Sequence, residues 1–353
     1  MYTSLRARCK HMFLACAMLA GLCGFPGRSF AQGCMPVRFD SPRVGGAARP
    51  QLGAHEWQID LSYRHLSADE WYTGTNVNEG AAPFGQPLYL DIHSVALTFN
   101  YGITDRISLA VTLPFSHGTH SRYYADGSRH KVKASGIGDV SAVGTFWVWD
   151  PKKSSKGNLS LGFGVKSPSG DNAVLDGFFL PAGVVTQRPV DQAIELGDGG
   201  WGMIGQAQGY RKLFRNTYGY AQGWYLLTPQ NTTNVISPYP GVSLSVPDIY
   251  SARFGAVYDI PRARGLSVSF GPRIDGIRYR DLVGGSDGFR RPGYSLYLDP
   301  GVMFVQRHST ITVNIPWLVH EDFQRSRVDY QLNKRGGGDL ADYLVLGQYS
   351  FRF

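Results

Sequence analysis

The sequence predicts an all-β protein, a closed antiparallel transmembrane β-barrel of about 12 strands. Segments of about ten residues with alternating apolar and polar side chains recur along the chain, and the links between them alternate in length. The chain also ends on such a segment, with an aromatic last residue, Phe353. A mean hydropathy of -0.19 fits this class, because a barrel strand is half polar.

The chain begins with a segment typical of an export signal. Three basic residues lie within the first ten positions, an apolar run follows, and 29–31 supply the small residues that a signal peptidase requires. We therefore predict a Sec-type signal peptide over 1–31, cleaved before Gln32. An uncleaved membrane anchor is the alternative, and the shortness of the apolar run disfavours it.

Cysteine usage and charge agree with export. Three of the four cysteines lie in the predicted signal, which leaves Cys34 and no internal disulfide in the mature chain. The signal contains four basic and no acidic residues, so removing it lowers the net charge from +8 to +4. That charge is too small to indicate a nucleic-acid partner.

The mature chain divides into two parts. Residues 32–52 are rich in glycine, proline and arginine and have no hydrophobic period. We predict an irregular periplasmic segment there, with a plug inside the barrel as the alternative. Residues 53–353 form the predicted barrel domain.

The strands are predicted from a period of two, which places successive side chains on opposite faces. In 106–115, for example, Ile107, Leu109 and Val111 alternate with small or polar residues. Segments 200–211 and 217–227 show the weakest alternation because glycines interrupt it. The 12 predicted strands are 55–66, 91–101, 106–115, 137–149, 158–167, 200–211, 217–227, 249–260, 265–276, 294–305, 310–319 and 342–353.

The links between these strands sort by length. Short links such as 102–105 and 261–264 alternate with long ones such as 67–90 and 168–199. Outer-membrane barrels have short periplasmic turns and long extracellular loops, so we place both chain ends on the periplasmic side. A soluble exported β-sandwich is the alternative, but it has no reason to sort its loops in this way.

The last strand is predicted to close the barrel. Closure is required because an open edge would leave backbone groups unpaired in hydrocarbon. Tyr349, Phe351 and Phe353 share one face and form the candidate assembly signal for the barrel-assembly machinery. Aromatic rings are favoured at membrane interfaces, so we expect contacts with outer-membrane lipid and a location in the cell outer membrane.

Ionisable side chains are expected to line the lumen, because they are costly on the lipid face. The candidate lumen and selectivity residues are Asp60, Arg64, Asp139, Lys166, Arg253, Arg273, Asp275 and Asp299. Arg253, Arg273 and Asp299 lie on neighbouring strands and are predicted to form a charge ladder. The ladder either selects a permeating solute or stiffens the wall with ion pairs. Twelve strands favour a narrow or gated pore.

An apolar stretch at 176–185 lies in a loop predicted to be extracellular. Water would penalise it there, so we expect it to fold against the barrel mouth or into it. Phe178, Phe179 and Leu180 are therefore the gating candidates. Extension of the neighbouring strands is the alternative.

The link 116–136 combines basic residues with histidines. Its basic side chains either bind lipopolysaccharide phosphates or are simply solvated. His117, His120 and His130 lack cysteine partners or a fixed helical spacing, so no metal site is predicted.

Catalysis has little support in the sequence. Neighbouring His and Ser residues, such as His93 and Ser94, point to opposite faces of a strand, so one cannot act as base for the other. We also find no G-x-S-x-G pattern and no nucleotide-binding fingerprint. No enzymatic activity and no cofactor are predicted.

The stretches SGIGDVSAVGTFWVW and LSLGFGVKSPSGD, with GDGGWG downstream, resemble the outer-membrane family named for a meta-cleavage pathway of phenol degradation. The resemblance covers roughly 91–353, and Asp139, Lys166, Pro168 and Gly170 match its most recognisable part. It implies an outer-membrane barrel that acts as a channel for small hydrophobic or aromatic compounds. It implies no catalytic or ligand-binding residue.

These observations predict a channel or transporter-like barrel for small solutes. The alternative is a non-transporting barrel that has a structural role or binds partners at the cell surface.

Overall fold

A computed structural model describes residues 43–45, 48–78, 80, 85–154 and 156–353. The predicted signal peptide and Cys34 lie outside the described residues. Within them, 12 antiparallel strands each pair with the next along the chain, and the last pairs with the first. Leu61 in the first strand lies opposite Tyr349 in the last. The predicted closed barrel is confirmed.

The first half of the wall has continuous strands except at one break. Its elements are β1 (Trp57–Ala68), β2 (Tyr72–Thr73), β3 (Asn76–Val77), β4 (Tyr89–Gly102), β5 (Ile107–Tyr123), β6 (Arg129–Ile137), β7 (Ser141–Trp147), β8 (Gly157–Lys166), β9 (Leu175–Phe179), β10 (Val185–Pro189), β11 (Gly202–Phe214) and β12 (Thr217–Leu227). A 3-10 turn at Pro181–Gly183 joins β9 to β10. Strands β6 and β7 together form the fourth barrel strand.

The second half contains β13 (Thr232–Ile236), β14 (Ser243–Ser245), β15 (Ile249–Asp259), β16 (Leu266–Phe270), β17 (Pro272–Ile277), β18 (Gly293–Leu298), β19 (Gly301–Gln306), β20 (Ser309–Asn314), β21 (Trp317–Phe323), α1 (Arg327–Gln331) and β22 (Tyr343–Arg352). Three barrel strands are interrupted here, and the breaks contain Gly271, Pro300 and Pro316. Proline donates no ladder hydrogen bond, and a Cβ at Gly271 would lie 1.9 Å from the Phe254 carbonyl oxygen. No helix among the described residues is long and apolar enough to cross a membrane.

Side chains alternate between the two faces of the wall as predicted. In β1, Trp57 and Leu61 are exposed on the outer face, whereas Asp60 and Arg64 are buried on the inner face. This places apolar surface outside and polar surface inside, which is the arrangement of a membrane barrel and the opposite of a soluble sandwich. Trp147 lies on the inner face, where it is buried and packs edge-on against Tyr210. At the break between β6 and β7, the alternation of inward and outward side chains shifts by one residue.

The link 116–136 is not the loop that we predicted. Strand β5 continues to Tyr123 and β6 begins at Arg129, so the two pair as a hairpin above the membrane. Backbone pairing extends the wall here although the side chains are mostly polar, which is why the apolar period alone placed the strand end at residue 115.

Candidate functional site: the barrel lumen

The lumen contains a cavity of about 280 Å³ in its periplasmic half. Polar side chains of the inner face form most of its lining, among them Gln58, Asp60, Thr98, Asn100, Asp139, Gln206, Gln208 and Gln222. The Trp224 ring also lines the cavity. The cavity is therefore small and is lined by hydrogen-bonding side chains, as expected for a narrow barrel.

Asp60 is fully paired in this cavity. Its carboxylate accepts hydrogen bonds from Arg43 at 2.9 Å, from Gln58 at 2.7 Å and from Asn100 at 2.9 Å. Arg43 belongs to the segment 32–52, and its neighbour Val44 is buried against Tyr220. The described residues 43–45 are irregular and lie inside the lumen, whereas the periplasmic location of the segment as a whole stays a prediction. The ion pair with Asp60 and the burial of Val44 favour this position.

Arg64 contacts a pair of buried serines. Its guanidinium donates to the Ser94 hydroxyl at 2.9 Å, and Ser94 shares a hydrogen bond of 2.8 Å with Ser116. Both serines are buried in the lumen, whereas their chain neighbours His93 and His117 lie on the outer face. The neighbouring His and Ser side chains diverge as predicted.

Lys166 joins two carboxylates that the sequence separates. Its ammonium lies 2.8 Å from Asp139 and 2.5 Å from Asp198, and it also donates to the Gly200 carbonyl at 2.7 Å. All three charged side chains are nearly inaccessible to solvent. Asp198 was missing from our candidates, although it lies in the GDGGWG stretch that carried the family resemblance. The cluster ties the end of the long link 167–201 to the wall.

The predicted charge ladder is present and is larger than expected. Arg253 and Arg273 lie opposite each other on β15 and β17. Arg253 pairs with Asp299 at 3.1 Å, and Arg273 pairs with Asp275 at 2.7 Å. Asn314, which we did not predict, donates to Asp299 at 2.8 Å. The side chains of both ion pairs are at most 1% exposed, so the ladder fills one side of the lumen.

One side of the extracellular half of the lumen is apolar. Buried side chains of five strands form one cluster, with Leu66, Leu90, Ile92, Val132, Leu344 and Leu346 among its members. Val190, Ile194 and Leu196 from the link 167–201 are buried in the same cluster. We call residues 190–196 the plug segment, because they fold into the barrel between these strands. Its apolar residues are isolated in sequence, so no hydrophobic run indicated it.

Charge pairs anchor the plug segment. Arg291 lies 3.2 Å from Asp191 and also packs over the Trp71 ring at 4.9 Å. Burial alone would raise the pKa of Asp191, but the charge of Arg291 holds the pKa well below its usual range. Burial and the neighbouring Asp191 raise the pKa of Glu195 well above its usual range. Arg291 therefore favours the charged form of Asp191, whereas burial disfavours the charged form of Glu195.

The gating candidates lie beside the plug segment and not in it. Strands β9 and β10 form a hairpin in which Arg188 packs over the Phe178 ring at 4.1 Å. Phe179 stacks on His130 at 3.6 Å, and both phenylalanines contact Tyr124 edge-on. Leu180 follows Phe179 and is the N-cap residue of the 3-10 turn that joins β9 to β10. The hairpin packs on the β5–β6 extension, whereas residues 190–196 enter the lumen.

The histidines of 116–136 do not converge. His117 hydrogen-bonds Ser135 on the outer face, His120 is fully buried inside, and His130 bonds Asp126 at 2.6 Å. Arg129 donates to the Pro87 carbonyl and packs over two tyrosine rings, so part of the basic set stabilises the fold.

The aromatic end of the chain is on the outer face. Tyr349, Phe351 and Phe353 are all exposed there, and the Phe351 and Phe353 rings lie 5.2 Å apart. The Phe353 backbone N–H donates to the Trp57 carbonyl at 3.0 Å, which ties the last residue to the start of β1. The role of these residues in assembly stays a prediction.

No family model matches the chain, and no curated protein matches it in sequence. Among solved structures, the COG4313 outer membrane channel from Pseudomonas putida F1 superposes with a TM-score of 0.59 at 14% identity, covering 90% of this chain and 100% of that one. The translocator domain of the autotransporter NalP from Neisseria meningitidis gives 0.47 at 12% identity, covering 86% and 90%. A FadL homologue from Pseudomonas aeruginosa gives 0.41 at 9% identity, covering 93% and 99%. The first similarity shows that this chain has the fold of an outer-membrane barrel.

Proposed function

We propose that the protein is an outer-membrane channel for small hydrophobic solutes. In the conformation described here, the plug segment 190–196 occupies its extracellular entrance. A solute would pass from this entrance to the polar cavity near Asp60 and then to the periplasm. The fold similarity to a solved outer-membrane channel supports this assignment.

The apolar upper lumen is the observation that carries the proposal. A barrel for polar solutes needs polar groups along its whole interior, yet Leu90, Ile92 and Leu346 face inward at the extracellular end. Ile194 and Leu196 cover these side chains in the position that an apolar solute would take. Displacement of the plug segment would expose an apolar pocket that favours such a solute.

We extend the proposal to aromatic compounds because of the sequence resemblance to the phenol meta-pathway family. Lipopolysaccharide and the barrel-assembly machinery are its proposed partners. No catalytic role is proposed, since the His and Ser neighbours lie on opposite faces of the wall and the solved channel offers no catalytic analogy.

Dye uptake by intact cells tests the proposal. N-phenyl-1-naphthylamine is an apolar aromatic dye that an intact outer membrane excludes, and its fluorescence rises on entry. Cells that make the wild-type barrel should take it up several-fold faster than cells with an empty vector. Leu346→Asn places a polar amide in the apolar lumen and should slow uptake, whereas Leu282→Asn, at a side chain 60% exposed in a loop, should not.

Heat-dependent gel mobility would establish that each variant is folded before its uptake is compared. Equal uptake by wild-type and empty-vector cells, together with no conductance in planar bilayers, would favour the non-transporting alternative. Uptake that is fast in the wild type and unchanged by Leu346→Asn would contradict passage through the apolar lumen.

A further inference from the structure

The outer face carries a cluster of three metal-ligating side chains that the channel does not use. His65 on β1 lies directly opposite His93 on β4, and Asp91 lies two residues further along β4 on the same face. The Nε2 atoms of His65 and His93 are 3.0 Å and 3.2 Å from Oδ1 of Asp91. We propose that His65, Asp91 and His93 bind a divalent transition-metal ion of the Zn²⁺ type.

The spacing of the ligand atoms fits such an ion. Ligands at about 2.1 Å from a metal lie about 3.0 Å apart in octahedral and about 3.4 Å apart in tetrahedral geometry. Both histidine-to-carboxylate distances fall near this range, and all three ligand atoms lie within 4.8 Å of one another. The third distance, between the ligand nitrogens of the two histidines, is at most 4.8 Å and shortens when an ion binds.

Neighbouring side chains already orient both imidazoles. The rings of His65 and His93 stack with centroids 4.5 Å apart and planes within 7°. The Tyr63 hydroxyl hydrogen-bonds Nδ1 of His93 at 2.7 Å, which leaves Nε2 directed at Asp91. Metal-ligating histidines usually have such a partner on the second ring nitrogen, because it fixes the tautomer and the ring orientation.

The ligand types indicate which ions are bound. Two imidazole nitrogens and one carboxylate oxygen suit Zn²⁺, Co²⁺, Ni²⁺ or Cu²⁺. Ca²⁺ and Mg²⁺ prefer all-oxygen ligand sets and should bind poorly. Three protein ligands also leave at least one coordination position open.

The position of the cluster gives the ion a physical role. Going up β4 on the outer face, the side chains are Tyr101, Phe99, Leu97 and Val95, and then His93 and Asp91. The cluster therefore lies where the apolar belt ends on the extracellular side. Among the described residues, the ion pairs of Asp91 involve only these two histidines. A bound cation would neutralise this carboxylate and direct its open position toward the headgroup layer.

Metal titration of the purified full barrel, carrying a histidine-free affinity tag, tests the proposal. Dialysis against Zn²⁺ followed by elemental analysis should give one ion per chain. His65→Ala and His93→Ala should each weaken Zn²⁺ binding at least tenfold, and Tyr63→Phe should weaken it about tenfold through loss of the orienting hydrogen bond. His320→Ala, which removes a histidine from the outer face of β21, is the matched control and should bind as the wild type does.

Co²⁺ provides a readout that needs no variant. Wild-type protein should give the visible absorption bands of Co²⁺ with nitrogen ligands, and Zn²⁺ should abolish them while Ca²⁺ should not. Wild-type protein that shows neither these bands nor Zn²⁺ retention would overturn the proposal. Retention that the His65→Ala/His93→Ala double variant preserves, in protein with normal heat-dependent mobility, would overturn it as well.

Discussion

Ile194 of the plug segment lies so close to Gly118 of β5 that a Cβ at position 118 would come within 2.9 Å of the Ile194 side chain. Only glycine leaves room for the plug segment at this point of the wall. The contact explains a glycine in the middle of a long strand, where it would otherwise weaken the sheet.

The first prediction concerns the plug. Ile194→Asp places a carboxylate in the apolar cluster, which should expel the plug segment because an unpaired buried charge is costly. We expect single-channel conductance in planar bilayers to rise several-fold. Val185→Asp changes a side chain that is 54% exposed on the neighbouring hairpin and should leave conductance unchanged. Equal conductance in all three proteins would show that 190–196 does not obstruct the lumen.

The second prediction concerns the buried ammonium. Lys166→Met removes the charge between Asp139 and Asp198, and breaking a buried pair in this way costs about 3–5 kcal/mol of unfolding free energy. Urea unfolding followed by tryptophan fluorescence should show this loss. Adding Asp139→Asn and Asp198→Asn should recover most of it. Lys152→Met breaks the exposed pair with Asp105 and should have no measurable effect. Equal urea midpoints for Lys166→Met and Lys152→Met would refute the argument.

The barrel was predictable because backbone pairing in a membrane leaves few alternatives. The period of two identified the outer face of β1 and the inward position of Asp60, Arg64 and Arg253. The alternating lengths of the links then indicated which end of the barrel is periplasmic. Strand β5 was predicted too short because its upper part no longer touches lipid, so apolar alternation ends before the strand does.

The plug segment and the Lys166 cluster were less accessible to prediction. Val190, Ile194 and Leu196 show no period, and their burial depends on a chain that folds back into the barrel. The apolar run containing Phe178 was the stronger signal, and it packs on Tyr124 at the edge of the cluster that the plug segment fills. Arg43 likewise became a lumen residue only through its contact with Asp60. These are long-range contacts that local patterns do not encode.

The third prediction concerns pH. Burial raises the pKa of Asp342 to about 6 and that of Asp339 well above its usual range. Both therefore bind protons more tightly in the folded than in the unfolded chain. The resulting contribution to folding stability is complete below about pH 3.8. For Asp342 it is lost as pH rises through about 6. Hydrogen exchange in 333–342, corrected for its intrinsic pH dependence, should show less protection at pH 8 than at pH 5.

Asp339→Asn removes one of these carboxylates and should reduce that loss of protection. Asp287→Asn, at an exposed carboxylate paired with Arg327, is the matched control and should behave as the wild type does. A segment whose protection is the same at both pH values would contradict the assigned shifts.

The fourth prediction concerns the last residue. Deleting Phe353 removes an outward ring that packs on Phe351 and a hydrogen bond to the Trp57 carbonyl, but it leaves the pairing of β1 with β22 intact. If Phe353 is part of an assembly signal, the amount of folded barrel in outer-membrane fractions should fall several-fold, while protein refolded in detergent should keep nearly the wild-type urea midpoint. Phe270→Ala removes an exposed outer ring of β16 and is the control, since it should leave assembly in cells near the wild-type level. A deletion that lowers the urea midpoint and the cellular amount in parallel would instead assign Phe353 a purely structural role.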